Sequence, residues 1–164
     1  MKPAFRSVLF GSLLLATAAV YAQTATTTFQ VTATVSSGCV ISATNHDFGM
    51  YTTSSPTDNI NGSNMLTATC TLALPYTLGL NAGIGTGATA ASRKMTRSGG
   101  SELLNYSLYQ TVDRLVVLGD TTGLTPSGLG TGLAIDHPVF GTIPAGQNVP
   151  AGNYVDTVTA TITF

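Results

Sequence analysis

Thr157-Val158-Thr159-Ala160-Thr161-Ile162-Thr163-Phe164 alternates polar and apolar residues without a break. Successive side chains on a strand point to opposite faces, so this pattern predicts a half-buried β-strand with Val158, Ala160, Ile162 and Phe164 on its apolar face. Threonine on every other position suits the same reading: it is β-branched, favours strands, and keeps a solvent face polar without charge.

The pattern recurs near the other end of the chain, where Phe29, Val31, Ala33 and Val35 alternate with Gln30, Thr32 and Thr34. Shorter strands are expected around Met65–Leu72, Tyr76–Ala82, Leu104–Tyr109, Arg114–Leu118 and Val139–Ile143. The connectors carry strand-terminating residues: Gly83 to Gly87, Ser98 to Gly100, Gly119 to Gly132, and the echoing Pro144-Ala145-Gly146 and Pro150-Ala151-Gly152. No helical stripe of useful length interrupts them. Seven or so short strands separated by turns predict an all-β, immunoglobulin-like sandwich, with a barrel as the second choice.

The N-terminus reads differently. Lys2 and Arg6 form a basic start, Val8 to Val20 is an apolar stretch of 13 residues, and Val20-Tyr21-Ala22 suits cleavage before Gln23. Residues 1–22 are therefore expected to be a signal peptide, too short in its apolar part for a membrane-spanning helix. The remaining 142 residues fit one domain. They hold four Lys or Arg against seven Asp or Glu, a net charge near −3 that gives nucleic acid no basic surface to bind. Three of the four cations, Arg93, Lys94 and Arg97, share one short segment, expected to be a solvated turn or edge strand.

Cys39 and Cys70 are the only cysteines. In an exported chain they meet an oxidising compartment, and a single disulfide is the expected outcome, worth about 3.5 kcal/mol in the chain-entropy treatment. Two zinc-ligating thiolates would need CxxC spacing and nearby histidines, and neither is present.

Catalytic chemistry finds little to work with. The two histidines, His46 and His137, each stand beside an aspartate, Asp47 and Asp136, but adjacent strand residues point to opposite faces and cannot orient one another. There is no GxSxG elbow, the acids are scattered through turns, and the spaced glycines at 83, 85 and 87 and at 128, 130 and 132 lack the ending and the following helix of a phosphate loop. An enzyme is not expected, and no small-molecule cofactor or metal is implied. Asn61-Gly62-Ser63 and Asn105-Tyr106-Ser107 match the glycosylation tripeptide without bearing on function.

Several ordered segments together resemble the spore coat protein U family, which is similar to the subunits of archaic chaperone-usher pili. They are Cys39-Val40-Ile41-Ser42-Ala43-Thr44 with Phe48-Gly49-Met50-Tyr51, then Ala68-Thr69-Cys70-Thr71 with Pro75-Tyr76-Thr77. Arg93-Lys94-Met95-Thr96, Leu104-Asn105-Tyr106-Ser107-Leu108-Tyr109 and Phe140-Gly141-Thr142-Ile143-Pro144-Ala145-Gly146-Gln147 to Gly152-Asn153-Tyr154-Val155-Asp156-Thr157-Val158 follow in the family's order. One departure is visible: the family often places tryptophan before the Gly-Asp pair, and here Leu118 precedes Gly119-Asp120.

The resemblance implies a pilin-type sandwich that lacks its last strand and is completed by the N-terminal strand of a neighbouring subunit. The donor would lie in residues 23–36, with Phe29, Val31, Ala33 and Val35 filling pockets of a domain spanning 37–164. The acceptor groove, and the strand a chaperone engages, would include Val158, Ala160, Ile162 and Phe164. Implied partners are copies of the chain or related pilus subunits, a periplasmic chaperone and an outer-membrane usher. The implied role is a cell-surface fibre serving adhesion or biofilm formation. A spore-coat or surface-layer protein of the same fold is the alternative, a tip adhesin would need a second domain, and an outer-membrane barrel is a third possibility from the terminal Phe164 pattern.

Overall fold

The computed structural model describes residues 21–164, so the leader expected over 1–22 falls almost wholly outside the described residues. The chain divides at Thr34/Val35, and the parts are described separately. Residues 21–34 contain no strand and are exposed throughout. The half-buried strand expected over Phe29–Val35 is therefore not formed, because an isolated strand has no ladder to satisfy its backbone and no face to bury.

Val35–Phe164 forms one unit built from nine strands: β1 (Cys39–Ala43), β2 (Ser63–Cys70), β3 (Pro75–Leu80), β4 (Arg93–Arg97), β5 (Leu103–Tyr109), β6 (Ser127–Leu129), β7 (Ala134–Thr142), β8 (Tyr154–Val155) and β9 (Ala160–Thr163). They pair in antiparallel fashion into a six-stranded sheet, β1-β2-β7-β5-β4-β8, and a three-stranded sheet, β6-β3-β9. Both sheets have ends and neither closes on itself, so the fold is a sandwich and not the barrel.

The core lies between them. From the large sheet come Leu66, Ala68, Cys70, Leu104, Tyr106, Leu108 and Val139; from the small sheet, Tyr76, Leu78 and Leu80. Each set follows the period-2 rule, Leu66-Ala68-Cys70 inward while Thr67 and Thr69 face away. Cys39 and Cys70 are joined in a disulfide at directly opposed positions of β1 and β2.

Two expectations change. Arg114–Leu118 is not a strand: Arg114 has φ 57°, Asp113 Oδ1 accepts from Leu115 N, and only Val117 makes a β-bridge, to Tyr109. The Arg114 guanidinium donates to the carbonyls of Val112, Ile60 and Gly141, which holds the segment as a tight loop. Arg93 is the second case. Instead of lying on a solvated edge, it is 0 % exposed, on a strand paired on both sides, and donates to the carbonyls of Asn81, Ala90, Leu80 and Leu118 at 2.7–3.0 Å. Burial lowers its pKa, partly offset by Tyr106, Asp156 and Asp120. The rest of the cluster matches the solvated reading better: Arg97 pairs with Glu102 at 3.6 Å near the surface. Leu118, standing where the family often has tryptophan, is 1 % exposed, bonds Leu108 through its N–H, and serves Arg93 through its carbonyl.

Candidate functional site

The C-terminal run changes sheets. Tyr154 and Val155 pair with Arg97 and Thr96 of β4 in the large sheet, whereas Ala160 to Thr163 pair with Leu80 to Thr77 of β3 in the small one. Throughout the run the even-numbered residues point inward: Tyr154, Asp156, Val158, Ala160 and Ile162 are half-buried, and the odd-numbered ones are exposed. The expected apolar face of Val158, Ala160 and Ile162 is thus where the alternation places it, while Phe164, beyond the end of β9, is 58 % exposed.

Among the described residues, β9 is paired on one side only. Asn81 N donates to the Thr159 carbonyl at 3.1 Å, and Thr159 N donates to Asn81 Oδ1 at 2.9 Å. Odd residues therefore direct their backbone groups toward β3, and by the alternation of an antiparallel ladder the N–H and C=O groups of Val158, Ala160 and Ile162 face the free edge.

Beside the Val158–Ala160 end of this edge the two sheets leave a cleft, while β1 lies close to β9. A cavity of about 690 Å³ is lined by Ala43 to Phe48 on one wall, Tyr154, Val155, Asp156, Val158 and Ala160 on the other, and Leu66, Leu80, Tyr106 and Leu108 at its floor. A second, of about 770 Å³, continues it past Asp47, Tyr154 and Val155 toward Met50, Leu104, Ile143 and Val149. Buried core side chains from both sheets thus floor a slot whose rim includes Val158 and Ala160.

The walls are tied down by polar contacts. Tyr106 donates its hydroxyl to Asp156 Oδ2 at 2.6 Å, and Asp156 Oδ1 accepts from Ile84 N and Thr157 N, each at 2.8 Å. Burial, then the hydrogen bond and charge of Asp156, raise the pKa of the Tyr106 phenol well above its usual value, so it stays a donor. On the facing wall Phe48 packs edge-on to Tyr106 with ring centroids 5.9 Å apart, and His46 packs at a tilt of 53° against Phe48 at 4.4 Å. Both rings lie over Gly141, where a Cβ would come within 2.5 Å of each, so only glycine lets this wall close down. Sequence reading named Phe48, Tyr106 and Asp156 only as family positions; nothing local marks them as groove walls, because their partners are 50 or more residues away.

Neither histidine is oriented by the acid beside it. His46 Nδ1 meets Asn64 Oδ1 at 3.2 Å while Asp47 Oδ1 accepts from Gly49 N; His137 Nε2 meets the Tyr76 hydroxyl at 2.9 Å while Asp136 accepts from Thr67. The geometry serves packing and strand pairing.

The remaining expected residues lie in the N-terminal stretch. Phe29, Val31 and Val35 are 86 %, 82 % and 87 % exposed, and Ala33 is exposed as well. Four alternating apolar residues in water are costly to leave uncovered: each aliphatic or aromatic side chain gains roughly 1.5–3 kcal/mol on full burial.

Residues 25–161 match the family described as the Spore Coat Protein U domain. This chain belongs to that family. A curated relative, Protein U of Myxococcus xanthus, is 37 % identical over 176 aligned positions that cover all of this chain and 98 % of the relative. Among solved structures, the chain is similar to one in the crystal structure of the CsuC–CsuE chaperone-tip adhesion subunit pre-assembly complex from archaic chaperone-usher Csu pili of Acinetobacter baumannii, with a TM-score of 0.57 and 24 % identity. That match covers 80 % of this chain and 41 % of the other, so this chain spans about two fifths of its length. At this identity the likeness speaks to the fold, which the Spore Coat Protein U domain here shares.

Proposed function

We propose that this chain is an exported structural subunit of a surface pilus or fimbria, assembled by donor-strand exchange. The observation that carries the reading is the pairing of a cleft at the Val158–Ala160 end of β9, a strand paired on one side only among the described residues, with an exposed apolar-alternating segment that pairs with no described strand. One copy's Phe29 to Val35 adds a strand beside Val158 to Phe164 of another: backbone hydrogen bonds supply affinity, and Phe29, Val31, Ala33 and Val35 fill the slot. Covering the β9 edge also removes the aggregation hazard of an unpaired strand.

Before assembly the same edge needs protection. A periplasmic chaperone lending a strand, and an outer-membrane usher at which the exchange takes place, fit that need and agree with the chaperone-subunit complex named in the structural neighbour. Adhesion or biofilm formation is the role such a fibre would serve. A coat or surface-layer role built on the same exchange is favoured by one observation, the full-length similarity to Protein U.

Deleting Gln23 to Val35 tests the exchange. The truncated chain should retain the Cys39–Cys70 bridge and bind a chaperone yet fail to form multimers; fibres assembled from it alone would exclude this segment as donor.

A further inference from the structure

We infer that Asp156 sets the register of the incoming strand, so that Phe29, Val31, Ala33 and Val35 lie directly opposite Phe164, Ile162, Ala160 and Val158. This rests on the donor-strand reading above and adds to it which residues meet and what stops the strand.

Direction follows from topology. β1 begins at Cys39, opposite Cys70; a short turn, residues 71–74, leads from there to β3, whose Thr77 pairs with Thr163. The Cys39 end and the Phe164 end therefore share one pole of the sandwich, and the chain leaves toward residue 35 from that pole. Ala43, paired with Leu66, and Ala160, paired with Leu80, mark the other. A strand running antiparallel to β9 arrives with Val35 at the Ala160 pole, which sets its own subunit's disulfide pole on the acceptor's opposite pole. Repetition gives an open head-to-tail fibre. A parallel strand would bring two disulfide poles together and close as a pair.

Register follows from length and charge. The donor alternation, Phe29 to Val35, and the acceptor alternation, Val158 to Phe164, both span seven residues with four apolar positions. Backbone groups of the even-numbered acceptor residues face the open edge, so an antiparallel partner opposite each of them points its side chain to the same inward face. The next inward residue after Val158 is Asp156, whose two oxygens are already engaged by Tyr106, Ile84 and Thr157. Sliding the donor by one pair past Val158 sets Val35 against this carboxylate and strips it of water without offering a hydrogen bond. Sliding the other way sets Val35 against Ala160 and leaves Val158, at the cavity, uncovered. The aligned register also places the small Ala33 beside the small Ala160, in the part of the groove walled by the Phe48–Tyr106 ring pair.

Oxidative crosslinking of the exported full-length chain tests this. Residues directly opposed in such a pair have Cα atoms about 5.5 Å apart, within disulfide range, whereas diagonal neighbours lie at about 7–8 Å. A chain carrying Ala33→Cys and Ala160→Cys should give a covalent ladder, and Ala33→Cys with Val158→Cys or Ile162→Cys about a tenth of that yield or less. In a Val35→Lys background the strand gains by sliding its cation to Asp156, so the strongest crosslink should move to the 33/158 pair. Equal yields at all three pairs would overturn the register while multimers persist. A Val35→Lys chain that stays on 33/160 would overturn the role of Asp156. Absence of multimers from the unsubstituted chain, before any oxidation, would instead remove the donor-strand reading beneath it.

Discussion

Tyr106 on β5 donates its hydroxyl to Asp156, 50 residues later, at 2.6 Å, and so fastens the C-terminal run where it crosses from one sheet to the other. This bond spans the floor and wall of the groove. Its strength comes from a charged acceptor and from exclusion of water around the phenol.

Tyr106→Phe removes that donor and leaves Asp156 with its two backbone partners. A hydrogen bond to a charged group is worth about 1.5–3 kcal/mol, and thermal or denaturant unfolding of the variant should show a loss in that range. An unchanged midpoint would mean the bond contributes no net stability.

Arg93→Met should be more damaging. The guanidinium serves four backbone carbonyls, and each buried group left unsatisfied costs about 1–3 kcal/mol, so a total loss of several kcal/mol is expected, enough to prevent accumulation of folded protein. Arg93→Lys, with three donors on a single nitrogen, should recover only part of this. Folded yield measured by the protected disulfide gives the comparison, and an Arg93→Met chain as stable as the parent would contradict it.

That arginine marks how far the sequence could be read. The alternation over Val158–Ile162 and the strands around Met65–Leu72 and Leu104–Tyr109 were legible because one sheet face is buried and the other is wet. Arg93 was not, since a cation in a short Arg-Lys-Met-Thr-Arg segment reads as surface, and only carbonyls brought from Leu80 and Leu118 make its burial tolerable. Arg114–Leu118 failed in the opposite sense: its apolar residues suggest a strand, but a positive φ at Arg114 and three bonds from its guanidinium fix a loop, with Leu115 79 % exposed. Of the cleft's lining, Val158 and Ala160 were legible from the alternation of the C-terminal run. Its far wall at His46 and Phe48 is set by packing over Gly141 that no local pattern announces.

Cys39→Ser removes the link between β1 and β2. Loss of a native disulfide in a small domain costs about 2–5 kcal/mol, so the variant should accumulate poorly and be more readily proteolysed. Normal accumulation would deny the bridge a structural role.

His137 gives the fold a pH dependence. Burial lowers its pKa below 6.5, with Asp136 opposing the shift, so the unfolded chain binds the proton more readily than the folded one. The contribution to stability is complete above about pH 6.5 and is lost as pH falls from there through the lowered folded-state value. Denaturation midpoints between about pH 7.5 and about pH 5 should therefore decline, and His137→Gln should flatten the decline. Identical slopes in both proteins would assign it to other groups.

The most direct test of assembly is a single charge in the donor. Val31 is exposed in the free chain, so Val31→Asp should leave the folded, disulfide-bonded subunit intact while placing a carboxylate beside the apolar Ile162 in the proposed pairing. Surface material from cells making each chain is run on a denaturing gel with and without boiling and viewed by electron microscopy. The parent chain should give fibres and an unboiled ladder that collapses to monomer on heating, and the Val31→Asp chain should give monomer alone; a ladder and fibres unchanged by the substitution would contradict donor-strand exchange through this segment.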